Sequence, residues 1–183
     1  MEDLLEKAVH IAKELERRES TNRLERYAPY DYQKKFHNAK ATQRLLMAGN
    51  RVGKSFSGAM EIAYHVTGKY PAWWEGRKFD RPVRVWVGGV SNETTRDVCQ
   101  KELTGQPDDP SAFGTGSIPL KDIGNTVRKA GVPNALSSLV IKHKTGGYSR
   151  IGFKSYDMGK EKWMGEAVDV VWLDEEPPQG IYS

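Results

Sequence analysis

The sequence has little of three features that would place a chain outside the cell or in a membrane. It contains one cysteine, Cys99, among 183 residues. No intrachain disulfide framework can therefore form, as is usual in a reducing cytoplasm. No run of about 18 apolar residues occurs, which excludes a membrane-spanning helix. The acidic start Met1-Glu2-Asp3 is not followed by a short apolar core, so we expect no signal peptide.

The residues that are present are typical of a folded, basic domain. The net charge is +4 and the isoelectric point is near 9.1. Aromatic residues make up 10% of the chain, which is too many for a disordered tail. The length predicts one domain, or one domain with an extra helical segment.

The order of the predicted elements indicates an α/β fold. A short apolar strand over 44–48, a glycine-rich turn and a helix over 54–66 form the opening of an α/β unit. The other predicted elements are an amphipathic helix over 4–26, helices over 31–38 and 92–103 (with Ser91 or Asn92 as N-cap), loops over 68–82 and 105–116, strands over 83–90 and 168–173, and a β-hairpin of 139–144 and 150–156.

Residues 48–55 match the phosphate-loop pattern, with Ala48 in place of its first glycine. Gly53 lets the backbone bend so that successive N–H groups point at phosphate oxygens, and the next helix adds its positive end. Lys54 supplies a positive charge for the β- and γ-phosphates, and the Ser55 hydroxyl is a Mg²⁺ ligand. The loop thus predicts nucleotide binding by Gly49, Asn50, Arg51, Val52, Gly53, Lys54 and Ser55.

The apolar segment 170–173 ends in two carboxylates, Asp174 and Glu175, which is the Walker B arrangement. Ligands of open α/β sheets bind at the carboxyl ends of strands, so we expect Asp174 to hold Mg²⁺ opposite Ser55. Glu175 could orient and deprotonate the attacking water. Glu176 is an alternative for that role, although the proline that follows it restricts its backbone.

Two weaker signals concern the base and the DNA. Gln33 could form two hydrogen bonds with an adenine edge, with Tyr30 or Tyr32 stacked on the base, which would favour ATP.

Residues 121–162 hold nine basic residues against three acidic ones. With Tyr148 and Tyr156, this basic stripe could follow a DNA backbone without reading sequence. A solvated hairpin face is an equal alternative.

Taken together, these motifs resemble the N-terminal ATPase region of the large terminase subunit of tailed double-stranded DNA phages. The double glutamate and double proline of residues 175–178 are the most specific part. The segments that carry the resemblance are 27–36, 47–58, 65–71, 87–94, 116–119 and 171–178.

The resemblance implies a P-loop NTPase with a catalytic glutamate, a parallel-sheet core that is incomplete in this chain, an N-terminal helix and an inserted β-hairpin. It divides the chain into a helical and adenine-binding segment, residues 1–40, and an ATPase core, residues 41–183. The implied cofactors are ATP and Mg²⁺. The implied site residues are Gln33 for adenine, Lys54 and Ser55 for phosphate and Mg²⁺, Asp174 for Mg²⁺ and Glu175 for catalysis.

The resemblance also implies a motor that drives double-stranded DNA into a procapsid, in the cytoplasm of a bacterial host. Its partners would be the DNA, a portal ring, a small terminase subunit and further copies in a ring, with no membrane. The family uses an arginine to stabilise the γ-phosphate charge. Arg51 lies in the loop and is our candidate catalytic arginine, while Arg96, Arg128 and Arg150 stay open for a role from a neighbouring subunit.

We expect the chain to end before the family's nuclease domain and before a strand that, in the family, separates the P-loop strand from the Walker B strand. Each unpaired buried backbone group in such a gap costs about 1–3 kcal/mol. We therefore predict a marginally stable chain, or a sheet rearranged to pair the two strands directly. Two alternatives stay open for the function: nucleotide binding without hydrolysis, or another P-loop DNA translocase or helicase.

Overall fold

One mixed five-stranded sheet organises the chain. The computed structural model describes residues 2–20 and 22–182, with the side chains of 4–16 and 22–181. The strand order is β2-β3-β4-β1-β5. Strands β4, β1 and β5 run parallel, while β2, β3 and β4 are antiparallel neighbours. The strands are β1 (Arg84–Gly89), β2 (Ile123–Arg128), β3 (Leu136–Lys142), β4 (Tyr148–Ser155) and β5 (Val170–Leu173).

Helices precede and follow the first strand. The segment after β1 is α-helical at both ends and π-helical between them, over Thr95–Gln100. No helix in the described ranges 2–20 and 22–182 is long and apolar enough to cross a membrane. The helices are α1 (Glu2–Ser20), α2 (Arg23–Arg26), α3 (Asp31–Asn38), α4 (Lys54–Thr67), α5 (Asn92–Thr94), α6 (Lys101–Thr104) and α7 (Gln179–Tyr182).

Helix α4 forms the centre of the core. Its sequence is apolar on several faces, and nearly all of it after Ser57 is buried, as expected for a helix packed between a sheet and other helices. The sheet contributes the side chains of one face only, because alternate residues of a strand point to opposite faces. The core residues include Met60, Ile62, Ala63 and Val66 of α4 with Val85, Val87, Leu139, Ile141, Ile151 and Phe153 of the sheet.

The structure confirms most of the predicted elements. The helix over 31–38, the helix that begins at Lys54, the strands over 83–90 and 168–173 and the hairpin all form, with ends within a few residues of the prediction. Ser91 is the N-cap of α5, because its Oγ accepts the N–H of Thr94 at 3.1 Å. The prediction of an α/β fold is therefore confirmed, but the predicted parallel-sheet core is only partly correct, because β2, β3 and β4 pair antiparallel. The division of the chain at residue 40 stays a prediction.

Two predicted elements are wrong in part, and one strand was missed. The helix over 4–26 is two helices, α1 and α2, and residue 21 between them lies outside the described residues. The hairpin is not an insertion, because β4 pairs in parallel with β1 at the centre of the sheet. Strand β2 was not predicted, since its side chains are largely exposed and show no apolar alternation.

The predicted strand over 44–48 does not form in the described part of the chain. The segment has no ladder partner, and a strand without a partner leaves its backbone groups unpaired. Its side chains nevertheless alternate: Arg44 and Leu46 are half-buried, while Leu45 and Met47 are 79% and 80% exposed. The segment is not paired with β5, so the direct pairing, which was one of two predicted alternatives, does not form, and the marginal stability of the chain stays a prediction.

Candidate phosphate-binding site

The loop before α4 has the backbone geometry that its sequence predicts. Gly53 is the N-cap of α4 with φ +86°, a left-handed conformation that glycine adopts at no steric cost. Glycine has no side chain with which to cap the helix, and no side-chain cap bond is present at this helix start. The N–H groups of the first turn, with the positive end of the helix dipole, therefore suit an anionic group.

Lys54 lies against the loop that it follows. Its Nζ donates to the carbonyl oxygens of Ala48 at 2.9 Å and Gly49 at 2.6 Å. The positive charge is thereby held beside the concave side of the loop. Ala48 is not among the residues with positive φ, so the missing first glycine does not strain the turn.

Ser55 and Asp174 meet although 119 residues separate them. The Ser55 Oγ donates to the Asp174 Oδ1 at 3.0 Å. Helix α4 and strand β5 can approach this closely because Gly58 lies under the indole of Trp172, where an added Cβ would come within 2.5 Å of the ring. The predicted convergence of these two residues is what the structure shows.

The carboxylates of the strand end lie in different environments. Asp174 is half-buried, and burial raises the pKa of its carboxyl, assisted by the negative charge of Glu175 and opposed by the Ser55 hydrogen bond and the Lys54 charge. Glu175 is exposed, and its φ is +66°. Two of the three described non-glycine residues with positive φ, Arg51 and Glu175, lie in this site. Such backbone conformations concentrate at functional sites.

Gln33 is buried behind the loop, and protein groups already bind its amide. Its Oε1 accepts the backbone N–H of Tyr30 at 2.9 Å, and its Nε2 donates to the Ser57 Oγ at 2.8 Å. The side chain thus caps α3 and ties it to the first turn of α4. An adenine contact stays a prediction, and it would compete with these bonds. The Tyr32 hydroxyl donates to the carbonyl oxygen of Val52.

A pocket of about 880 Å³ opens beside the loop. Among the residues that line it, Tyr30, Tyr32, Arg51 and Gly53 were predicted to be near the base or the phosphates. The structure adds residues that sequence reasoning missed, because nothing in the sequence pattern connects the short helix α2 with the loop. They are Arg23, Arg26 and Phe56.

The candidate arginines lie in separate places. Arg51 lines the pocket in the left-handed conformation, with φ +60°. Arg96 is held by Asp97 at 2.7 Å and by the carbonyl oxygen of Pro133 at 2.9 Å. Arg128 and Arg150 are exposed on β2 and β4. Of the four, Arg51 is the one that lines the pocket.

A buried charge network that the sequence did not indicate supports the loop from behind. Glu61 of α4 bonds His37 Nδ1 at 2.6 Å, His65 Nε2 at 3.0 Å and Arg44 at 2.5 Å. Burial alone would raise the pKa of Glu61, but the two histidine hydrogen bonds and the charges of His65 and Arg44 outweigh it and lower the pKa to about 2. The network joins α3, α4 and the segment that enters the loop.

Only some residues of the predicted basic stripe are exposed on the surface. Tyr156 is 6% exposed, so it cannot stack on a ligand there, and Lys129 is half-buried beside the carbonyl oxygen of Phe153. The face of the sheet opposite α4 is more informative, because Arg84 and Arg150 are direct register partners on it. We call the residues Arg84, Lys142, Arg150 and Lys154 the basic face.

Comparison with known proteins identifies the family. A model of the N-terminal region of T4likevirus-type terminase large subunits matches residues 45–183. The chain belongs to the terminase large subunit family. The terminase large subunit of Salmonella phage P22 is 37% identical over 194 aligned residues, which cover 96% of this chain. The chain spans 39% of the length of that relative. No solved structure matches it significantly.

The terminase match includes both halves of the site. The loop with Lys54 and Ser55, and the strand end with Asp174 and Glu175, fall inside residues 45–183. Gln33 and helix α2 precede the residues that the family model matches. The family model therefore covers the phosphate side of the pocket, while the base side is included only in the alignment with the phage P22 relative, which covers 96% of the chain.

Proposed function

We propose that this terminase chain binds and hydrolyses ATP, and that it is the motor region of a DNA-packaging enzyme in a bacterial host cell. The observation that carries the proposal is the bond between the Ser55 hydroxyl and the Asp174 carboxylate. It joins the phosphate loop to the strand end across the sheet, as in P-loop NTPases, where a Ser or Thr and an acidic residue hold one Mg²⁺.

The donor set of this pair suits Mg²⁺. The cation prefers oxygen ligands and usually binds through one or two protein oxygens together with the phosphates of the substrate. Ser55 and Asp174 would hold it, and it would neutralise charge on the β- and γ-phosphates. Among the described residues, no cluster of three or more His, Cys, Asp or Glu side chains could hold a metal ion.

The remaining residues have separate roles in the proposal. Backbone N–H groups of residues 49–53 and the first turn of α4 bind the phosphates, and the Lys54 ammonium pairs with the β- and γ-phosphates in place of its present carbonyl partners. Arg51 contacts the γ-phosphate, where negative charge has to be stabilised. Glu175 orients the attacking water and takes its proton. Gln33 and the tyrosines of α3 contact the adenine.

The experiment is steady-state ATP hydrolysis by the chain and by two variants. Glu175→Gln keeps the size of the side chain but removes the base, so we expect hydrolysis to fall by at least about a hundredfold while Mg·ATP binding persists. Lys54→Ala should lose binding and hydrolysis together, because a phosphate partner is removed.

The result also separates the alternatives. Nucleotide binding by an unmodified chain that is as inactive as Glu175→Gln would support a binding module and contradict the proposed hydrolysis. Glu176→Gln is the matched control, since it removes the neighbouring carboxylate. If Glu176→Gln rather than Glu175→Gln abolished hydrolysis, the assignment of the base would be wrong.

DNA is the second ligand that we propose, on the basic face. Arg84 and Arg150 lie side by side in the sheet, and like charges in neighbouring strand positions are destabilising unless an anion separates them. Lys154 lies over the indole of Trp86 at 4.1 Å, and burial lowers the pKa of its ammonium. The Glu166 carboxylate already pairs with Arg84 at 3.3 Å, and a phosphate backbone would supply an anion for Arg150 independently of sequence. In the whole motor, the portal ring, the small terminase subunit and further copies of the chain are the proposed protein partners.

A further inference from the structure

The hydroxyl group of Tyr156 lies among the backbone carbonyls of the strand end. Tyr156 follows β4 directly, and its side chain crosses above β1 to reach the loop after β5. The hydroxyl oxygen lies 2.9 Å from the Asp174 carbonyl oxygen, 3.2 Å from that of Glu175 and 3.3 Å from that of Gly88. A phenol has one proton to donate, and the shortest of these contacts is the one to Asp174.

Two of the carbonyls that surround this hydroxyl, those of Asp174 and Glu175, belong to a strained turn. Glu175 has φ +66°, a conformation that is costly for a residue with a side chain and persists only where the surroundings enforce it. The Asp174 N–H donates to the Gly88 carbonyl at 2.8 Å, which fixes the turn on one side. The Tyr156 hydroxyl holds the Asp174 carbonyl at 2.9 Å on the other side, with the Glu175 carbonyl at 3.2 Å.

Aromatic packing holds the tyrosine ring in place. Tyr156 is 6% exposed, and its ring lies 5.9 Å from that of Trp163, whose Nε1 donates to the Ser155 carbonyl at 3.3 Å. Trp163 in turn packs edge-on against Trp86. Gly88 makes room for this arrangement, since a Cβ there would come within 2.2 Å of the Trp163 ring.

From this geometry we propose that Tyr156 is a positioning residue for Glu175. Its hydroxyl keeps the turn in the left-handed conformation and so aims the exposed carboxylate at the place where a water would attack. Removing the hydroxyl lets the turn relax to a right-handed conformation, which moves the carboxylate away without changing the phosphate loop. The inference rests on the proposed function, because it assigns the support of the proposed catalytic base.

The test compares two tyrosine-to-phenylalanine variants of the 183-residue chain. Tyr156→Phe removes the hydroxyl and keeps the ring. Tyr64→Phe is the matched control, because Tyr64 is also buried and its hydroxyl also donates to a backbone carbonyl, that of Leu24 at 3.1 Å. Both variants should lose similar stability. Only Tyr156→Phe should lower kcat, by about tenfold or more, with the KM for Mg·ATP within about twofold of the unmodified chain.

A second measurement does not depend on activity. Hydrogen exchange, read by mass spectrometry on a peptide that covers residues 170–178, should become faster in Tyr156→Phe and not in Tyr64→Phe, because the turn opens more often. If the unmodified chain did not hydrolyse ATP, the proposed function would be contradicted. Faster exchange in Tyr156→Phe would still support the role of the hydroxyl in holding the turn. Unchanged exchange, or an unchanged kcat in a chain that does hydrolyse ATP, would overturn the inference about Tyr156.

Discussion

At the scale of single residues, the site depends on groups that are charged and buried at the same time. Glu61 is 5% exposed and has three partners on two other segments and its own helix. Burying a carboxylate is unfavourable unless hydrogen bonds and opposite charges compensate. Since Arg44 leads into the phosphate loop and His37 lies on α3, the network fixes the loop relative to the base side of the pocket.

We expect Glu61→Gln to destabilise the chain at neutral pH by roughly 3 kcal/mol, because the pKa of Glu61 lies well below its ordinary value. A lowered folded-state pKa stabilises the chain fully above the unfolded value of 4.5 and loses this effect as the pH falls towards about 2. Urea unfolding of both chains from pH 7 to pH 2 should show that the difference between their free energies of unfolding decreases as the pH falls from 4.5 to about 2.

The control for this prediction is Glu75→Gln, a change of the same kind at an exposed position. It should alter the free energy of unfolding by less than about 0.5 kcal/mol. The free energy of unfolding of Glu61→Gln and of the unmodified chain could also differ by the same amount down to pH 2. That result would mean that the Glu61 charge is not what stabilises the network.

At the scale of elements, the contact of α4 with β5 brings the two halves of the site together. Helix α4 carries Ser55 and strand β5 leads into Asp174. Gly58 lies between them under Trp172. A glycine inside a helix usually weakens it by about 1 kcal/mol relative to alanine, so its presence here is explained by the close approach of the indole.

Gly58→Ala should therefore destabilise the chain by about 1–3 kcal/mol despite the better helix propensity of alanine, and it should weaken Mg·ATP binding by separating Ser55 from Asp174. Urea unfolding and nucleotide titration measure the two effects. Gly180→Ala, where no heavy atom lies within 4 Å of the added Cβ, should be close to neutral.

Combining Gly58→Ala with Trp172→Phe should recover part of the lost stability. If the two substitutions changed the free energy of unfolding additively, the result would argue against the proposed clash.

At the scale of the whole molecule, charge is distributed unevenly over the two faces of the sheet. The core helix α4 covers one face, and the basic face lies on the other. The net charge of +4 is small, so the distribution rather than the total decides where a polyanion binds. Exposed apolar side chains include Leu45 and Met47 on the segment without a ladder partner, and Leu4, Leu5 and Ile11 on α1.

We expect Arg150→Gln to weaken the binding of double-stranded DNA and to reduce the slope of log K against log salt by about 0.9, the value for one lost phosphate contact. Lys101→Gln removes the same charge from an exposed position of α6, a helix that packs against α4 on the other side of the sheet, and should change neither quantity. Fluorescence anisotropy with a short duplex at several salt concentrations measures both the DNA affinity and its dependence on salt. Equal effects of the two substitutions would favour a simple net-charge attraction, and an affinity that does not depend on salt would contradict a backbone contact.

The sequence predicted the local parts of this molecule well. The spacing of residues 48–55, the helix that starts at Lys54 and the acidic end of β5 are short-range patterns, because phosphate loops, helix starts and strand ends depend on a few neighbouring residues. The rule that ligands of open α/β sheets bind at the carboxyl ends of strands added the expectation that the two motifs meet, and the Ser55–Asp174 bond agrees with it. The strand over 44–48 was the main failure, since an apolar run forms a strand only where a ladder partner is present.

By itself the sequence therefore determined the chemistry of the site: which residues offer a hydroxyl, an ammonium, a guanidinium or a carboxylate, and on which kind of element each lies. Only the tertiary structure decided how these groups are supported. The Tyr156 hydroxyl under Glu175, the bonds of Glu61 with His37 and Arg44 and the pairing of Arg84 with Arg150 join residues that are 17 to 66 positions apart. No periodicity or motif encodes such contacts, because packing and burial of the whole chain bring them together.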